Sequence, residues 1–154
     1  MNEFAVRLQR GDRSLGAGRN PEAEVELRAA LQLDPRSVKA HFKLGIALER
    51  QRKWSEAESA YRAAIRGKRD HALAWLRLAA TCRRQGKDAD EEDAIREAAR
   101  FAPDNAEVRH NLAVTLARLG KTDEAASAYR AAVAVAPSNP ILRDGLGMAL
   151  VAQG

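Results

Sequence analysis

Residues 106–139 read AEVRHNLAVTLARLGKTDEAASAYRAAVAVAPSN, and the 34 residues before them, 72–105, read ALAWLRLAATCRRQGKDADEEDAIREAARFAPDN. The two segments close on Ala102-Pro103-Asp104-Asn105 and Ala136-Pro137-Ser138-Asn139, and the same offset of 34 residues lays Leu78-Ala79 on Leu112-Ala113. A fixed period of this length marks a stacked architecture, in which each repeat is one supersecondary unit that cannot bury its apolar face alone. Extending the period outward divides the chain into 4–37, 38–71, 72–105 and 106–139, with a remainder 140–154 and no insertion, a single array over 1–154.

Column chemistry sharpens the period. Counting the first residue of each unit as position 1, position 8 holds Gly11, Gly45, Ala79, Ala113 and Gly147. Position 15 holds Gly18, Arg52, Gly86, Gly120 and Gly154. Position 20 holds Ala23, Ala57, Glu91 and Ala125, and position 24 holds Leu27, Tyr61, Ile95 and Tyr129. Position 27 is Ala30, Ala64, Ala98 and Ala132, and position 32 is Pro35, Arg69, Pro103 and Pro137. These columns resemble the tetratricopeptide repeat, a helix–turn–helix unit with small residues at 8, 20 and 27, a large apolar residue at 24 and Pro at 32. The resemblance covers essentially the whole chain and implies an all-α fold, a right-handed α-solenoid of stacked hairpins.

The physical reading agrees. Small residues at 8 and 20 let two helices approach closely, while apolar residues such as Leu44 with Tyr61, or Leu112 with Tyr129, fill the space between them. Glycine at 15 ends a first helix in the left-handed conformation. Ser55 with Glu58 reads as a capping box, and Asn20-Pro21 and Asn139-Pro140 each read as a cap followed by Pro. Nine helices are predicted, near 4–17, 21–34, 38–51, 55–67, 72–85, 89–101, 106–119, 123–135 and 140–153. Composition points the same way, with 32 Ala against 15 Val, Ile and Thr together.

Three residues depart from the pattern. Glu91 places a carboxylate at a small-residue position, a costly burial that predicts pairing with Arg83 or Arg84, or a splayed hairpin. Arg69 replaces Pro, which predicts a less rigid turn between the second and third units. Arg10 stands at position 7, where the core wants Leu, which predicts a shifted or frayed first helix.

Composition excludes several classes. The chain is 45% hydrophobic and 31% charged, with 26 Lys and Arg against 21 Asp and Glu, a mixed surface rather than a polybasic one. No stretch reaches the ~18 apolar residues of a membrane span, and Met1-Asn2-Glu3-Phe4 lacks the start of a signal peptide, so a cytoplasmic chain without membrane contact is expected. The lone Cys82 fits a reducing compartment. Nothing assembles into a reaction centre: His41, His71 and His110 fall at positions 4, 34 and 5, and Cys82 faces inward at position 11. No Cys or His pair has zinc spacing. Gly145 and Gly147 form a G-x-G inside a helical pattern rather than a strand–turn–helix, and the acids from Asp88 to Asp93 lack a calcium loop's spacing and central glycine while suiting a helix N-terminus. No catalytic residue, metal or cofactor is therefore assigned.

The repeat leaves a surface. The family resemblance implies that positions 2, 5, 6, 9, 12 and 13 of each first helix line a concave groove. The second unit supplies Lys39, Phe42, Lys43, Ile46, Glu49 and Arg50; the third supplies Leu73, Leu76, Arg77, Ala80, Arg83 and Arg84. The fourth adds Glu107, His110, Asn111, Val114, Ala117 and Arg118, and the first adds Ala5, Leu8, Gln9, Asp12, Leu15 and Gly16. Six cations and one anion in the two middle units make the centre basic, beside an apolar strip of Phe42, Ile46, Leu73 and Leu76.

The function expected is a non-catalytic protein–protein interaction scaffold, binding an acidic peptide or protein segment with apolar anchors. The bland alternative is a solvated face whose cations pair with Glu49 and its neighbours. The family's clamp for chaperone C-termini is not expected: its five positions are Leu8, Asp12, Lys43, Leu73 and Arg77 here, and only Arg77 matches. Nucleic acid is disfavoured despite a pI near 9.8, because RNA-binding pentatricopeptide units run to 35 residues and only Phe42 lies among the groove cations. A further alternative makes the chain the repeat region of a longer protein, such as a bacterial glycosyl- or sulfotransferase, serving substrate-protein recognition or self-association. The segment 140–154 stops at position 15 with Leu146, Gly147 and Leu150 uncovered, so it reads as a truncated hairpin or as a homodimer contact through Leu146 and Leu150.

Overall fold

Alanine-rich segments separated by Gly- and Pro-bearing turns fold as the columns dictate. The computed structural model describes residues 2–154, and among the described residues there are nine α-helices and no strand. They are α1 (Glu3–Gly16), α2 (Asn20–Leu33), α3 (Val38–Arg50), α4 (Trp54–Gly67), α5 (Ala72–Arg84), α6 (Asp88–Phe101), α7 (Ala106–Arg118), α8 (Thr122–Val135) and α9 (Pro140–Ala152). Every helix lies within one residue of its expected bounds. Helices α1/α2, α3/α4, α5/α6 and α7/α8 pack as hairpins, and each second helix then packs on the next first helix. Beyond chain neighbours, α1 also meets α3. Contact confined to neighbours is the quasi-one-dimensional packing of a solenoid.

The small-residue columns are the places of closest approach. Ala23, Ala57, Ala125 and the four alanines at position 27 have no exposed surface. A Cβ on Gly45 would stand 2.5 Å from the Tyr61 ring, so glycine at position 8 is the seat for the large residue at position 24. Burying a side chain of that size contributes about 1.5–3 kcal/mol.

The turn inside each hairpin repeats one hydrogen-bond motif. The N–H of Arg19 donates to Ser14 O at 2.8 Å and that of Gly18 to Leu15 O at 3.1 Å, a pattern repeated by Lys53, Lys87 and Lys121 with their preceding residues. The motif requires a left-handed residue. Gly18, Gly86 and Gly120 supply it at φ between 68° and 75°, whereas Arg52 adopts φ 61°. A side chain in that conformation costs roughly 1–2 kcal/mol.

Capping differs from expectation. The first helices are capped by the last residue before each, Asn2, Ser37, His71, Asn105 and Asn139, whose side chains accept from a backbone N–H. Thus Asn139 caps α9 as expected, at 3.0 Å from Ile141 N. The second helices have no side-chain cap: Arg19, Lys53, Lys87 and Lys121 occupy the N-cap position. Asn20 and Ser55 lie inside their helices, so neither expected cap forms.

The Arg69 turn is closed like the others. His71 N donates to Lys68 O as Asn105 N does to Ala102 O, and the Trp75 indole fixes Arg69 O at 2.7 Å. His41 and Arg109 stand in the same column and contact the Pro35 and Pro103 carbonyls, so one side chain pins each of these three turns with or without proline. Nor does Arg10 fray α1: the helix runs unbroken from its Asn2 cap, with Arg10 exposed to solvent.

A polar edge ties the units together. Glu24 accepts from Lys53 Nζ at 2.8 Å, Glu58 from Lys87 Nζ at 2.6 Å and Glu92 from Lys121 Nζ at 2.6 Å, each pair spanning two units. Arg28, Arg62 and Arg96 each hold the same acid four residues back and reach Glu56, Asp90 and Glu124 of the next unit. Gln51 and Gln85 add hydrogen bonds of 2.8 Å to Glu24 and Glu58. Burial pushes the Glu58 carboxyl up, but the bonds from Lys87, Gln85 and Arg62 outweigh it and hold the group below its ordinary 4.5.

Candidate peptide-binding groove

The first helices bring the expected groove residues into one series of faces, and their side chains divide into committed and free. On α3, Phe42 is half-buried, 4.7 Å between ring centroids from His71 and 5.9 Å from Tyr61, and Ile46 packs against the core. Lys43 pairs with Asp12 of the first unit. Arg50 donates to Leu15 O at 2.9 Å at the C-terminal end of α1. Lys39 is exposed.

On α5, Arg77 pairs with Glu49 of α3 at 3.2 Å, and Glu49 also accepts from the Tyr61 hydroxyl at 2.5 Å. Burial and then the adjacent Glu49 carboxylate push the Tyr61 hydroxyl well above its ordinary value, so it remains a donor. Leu76 is buried, while Leu73 is 46% exposed. Arg83 and Arg84 are exposed and have no carboxylate partner among the described residues; Arg84 stands over the Trp54 ring at 5.8 Å. The basic centre thus keeps Lys39, Arg83 and Arg84 as unpaired cations, the other three being held by the protein itself.

On α7, His110 stacks edge-on against Tyr129, and Asn111 Nδ2 donates back to Glu107 O at 3.0 Å. Arg118 is not a free groove cation. Its guanidinium is 2.8 Å from Asp88 and 2.5 Å from Glu91 on α6. Glu91 is 1% exposed and also accepts from the Thr115 hydroxyl at 2.8 Å. This corrects the expected pairing with Arg83 or Arg84: position 20 faces the next first helix, so the partners come from the following unit.

Between α5 and α7 lies a cleft of about 720 Å³. It gathers the expected residues Leu73, Leu76, Arg77, Ala80, Arg83, Arg84, Glu107 and Asn111 with Ala79, Glu91, Ile95 and Thr115. Lys39, Phe42, Lys43, Ile46 and Arg50 lie outside that cleft on α3, and His110 and Arg118 outside it on α7. Sequence reading missed Thr115 and the polar edge. The signal was present in the columns: Lys at position 16 of units two to four, Glu at 21 of units one to three and Arg at 25 of all four, as in Lys53, Glu58 and Arg62.

At the far end, Leu146 packs in part against the core of the fourth unit, while Leu150 is 42% and Val151 82% exposed. A Cβ on Gly147 would meet nothing within 4 Å, so the seat that Tyr61 fills against Gly45 is open on α9. Cys82 is fully buried, and burial pushes its thiol up to about 11. Among the described residues no three His, Cys, Asp or Glu are grouped to hold a metal ion, and no helix is long and apolar enough to cross a membrane.

Comparison with known proteins places these features in a family. Models of the tetratricopeptide repeat match residues 8–68, 42–106 and 106–139. Among solved structures, a MamA protein superimposes with TM-score 0.92 at 19% identity, covering 99% of this chain and 83% of that one. MamA from Desulfovibrio magneticus RS-1 gives TM-score 0.89 at 17% identity, covering 99% and 86%. YrrB, described as a tetratricopeptide-repeat protein with an unusual peptide-binding site, gives TM-score 0.84 at 17% identity, covering 96% and 76%. No curated protein sequence matches significantly. With its columns, its stacked hairpins and family matches along most of its length, the chain belongs to the tetratricopeptide repeat family.

Proposed function

We propose that the chain is a non-catalytic interaction scaffold whose groove, at α5 and α7, binds an acidic segment of another protein through cations and apolar contacts. One observation carries the reading: Arg83 and Arg84 stand exposed without carboxylate partners at the cleft that also holds the half-exposed Leu73. A guanidinium offers a carboxylate two parallel hydrogen bonds, and an adjoining apolar surface supplies the burial that ions alone do not. The peptide-binding site of YrrB, a protein of the same architecture, supports a peptide as the ligand class. Selection of a displayed random-peptide library on the immobilised chain is expected to enrich sequences rich in Asp and Glu that carry Leu, Ile, Phe or Met. The Arg83→Glu, Arg84→Glu variant is expected to lose that enrichment, and equal enrichment by both chains overturns the reading.

A second reading, self-association, is favoured by α9, where Leu150, Val151 and the open seat at Gly147 leave an apolar face uncovered. A concentration-dependent dimer in light scattering that Leu150→Glu abolishes supports it, and a monomer at all concentrations overturns it.

A further inference from the structure

Position 20 is alanine in three units, each with no exposed surface, and Glu91 in the third. The longer side chain sits between α6 and α7, and these two helices pack less closely than α2 with α3 or α4 with α5. The apolar core divides one step further on, within α7: Val108 closes one cluster, Ala113 opens a second, and Leu112 packs against both. The cleft between α5 and α7 lies beside this joint, lined on α6 by Glu91 itself and Ile95. Its floor is made of buried residues, Leu76, Ala79, Ile95 and Thr115, and its rim of exposed ones, Leu73, Ala80, Arg83 and Arg84 on α5, with Arg77 paired to Glu49 and one acid, Glu107, on α7. Glu91 itself is satisfied by Thr115 and Arg118, so the floor presents no unpaired charge. At about 720 Å³ the cleft falls within the roughly 300–1,000 Å³ range of sites that enclose a ligand group.

We infer that this cleft is an anchor pocket for one large apolar side chain of the bound segment, with Arg83 and Arg84 pairing the carboxylates on either side of it. The inference rests on the acidic-segment reading above and adds a selectivity that charge alone does not provide. Glu91 acts as the spacer: its carboxylate is taken up by Thr115 and Arg118, and it holds α7 away from α6 so that the pocket exists. Where alanine occupies the same position, as at Ala57, the neighbouring joint closes.

The test uses acetylated heptapeptides Asp-Asp-Glu-X-Glu-Asp-Asp, with X alanine, leucine or phenylalanine, titrated into the full chain by fluorescence anisotropy. The wild type is expected to bind the leucine or phenylalanine peptide about tenfold more tightly than the alanine peptide, the discrimination typical of a few buried methylenes. In Glu91→Ala that preference is expected to fall below about twofold while the alanine peptide binds about as well, because Arg83 and Arg84 are untouched and Arg118 stays paired with Asp88. Ala80→Leu fills the pocket from an exposed position, leaves the buried joint untouched and is expected to lose the preference in the same way. The Arg83→Glu, Arg84→Glu variant is expected to weaken all three peptides together. Equal binding of all peptides by the wild type, or a preference surviving in either pocket variant, overturns the anchor pocket and leaves the acidic-segment reading in place. Absence of binding by the wild type up to about 1 mM peptide overturns both.

Discussion

The joint between the second and third units and the joint between the third and fourth use the same columns to opposite ends. At the first, Ala57 lies against α5, which carries Thr81 and Arg84; at the second, Glu91 lies against α7, which carries Thr115 and Arg118 at the corresponding positions. Thr81 therefore turns its hydroxyl to its own helix, 2.8 Å from Arg77 O, and Arg84 is left to the groove. Thr115 and Arg118 are drawn inward to the carboxylate. Between these two joints the residue at position 20 separates one closed by apolar contact with its arginine outside from one held by a polar clasp with its arginine inside.

The largest expected effect tests that clasp. Arg118→Ala leaves the Glu91 carboxylate buried with only the Thr115 donor, and is expected to cost about 3 kcal/mol, whereas Arg84→Ala stays within about 0.5 kcal/mol. Urea denaturation measures the cost, and hydrogen exchange is expected to show α7 to α9 losing protection before α1 to α5. Next in size, Thr115→Val removes a buried donor to a carboxylate and is expected to cost about 1–3 kcal/mol, while Thr81→Val, which loses only a bond to its own helix, costs less than half as much. Equal costs at the two sites would break the comparison.

The polar edge is common to both joints and is expected to titrate alike at both. Hydrogen bonds from Lys121 and Arg96 hold the Glu92 carboxyl below its ordinary 4.5, as the rung at Glu58 does for its own. Folded values below the unfolded ones mean that this stability is complete above about pH 4.5 and is lost as pH falls through the lower folded values. The melting temperature is expected to drop below that pH, and Glu58→Gln with Glu92→Gln to shrink the drop. The smallest effect is expected at Cys82, which sits on the closed side: its labelling by a disulfide reagent reports opening of α5, and Arg118→Ala is expected to leave that rate unchanged.

Helix positions were legible in the sequence because period, proline and glycine act locally. The caps of the second helices were not: Ser55 and Glu58 have capping-box spacing, yet Ser55 donates to Gln85 and Glu58 accepts from Lys87, Gln85 and Arg62. Donors from the next unit outcompete a local turn that the backbone motif closes without them. Glu91 failed the same way, since a residue at position 20 faces forward in the stack while sequence proximity pointed back to Arg83 and Arg84. The groove columns were legible as positions, but the committed state of Lys43 and Arg77 depends on Asp12 and Glu49 one unit earlier, a relation visible only when columns are read in pairs across units.

The polar edge also gives the array a grammar of joining. Every rung takes its acid from position 21 of one unit and its lysine from position 16 of the next, so a unit copied whole, such as 38–71, would bring the lysine of one rung and the acid of the next with it. A unit joined behind the fourth would meet Ala126 at that position and find no acid for its lysine. The interior columns accept neighbours on either side, whereas the edge defines which successors are fully bonded. Lengthening by internal duplication is thus built into the sequence, and lengthening at the fourth unit requires Ala126→Glu first.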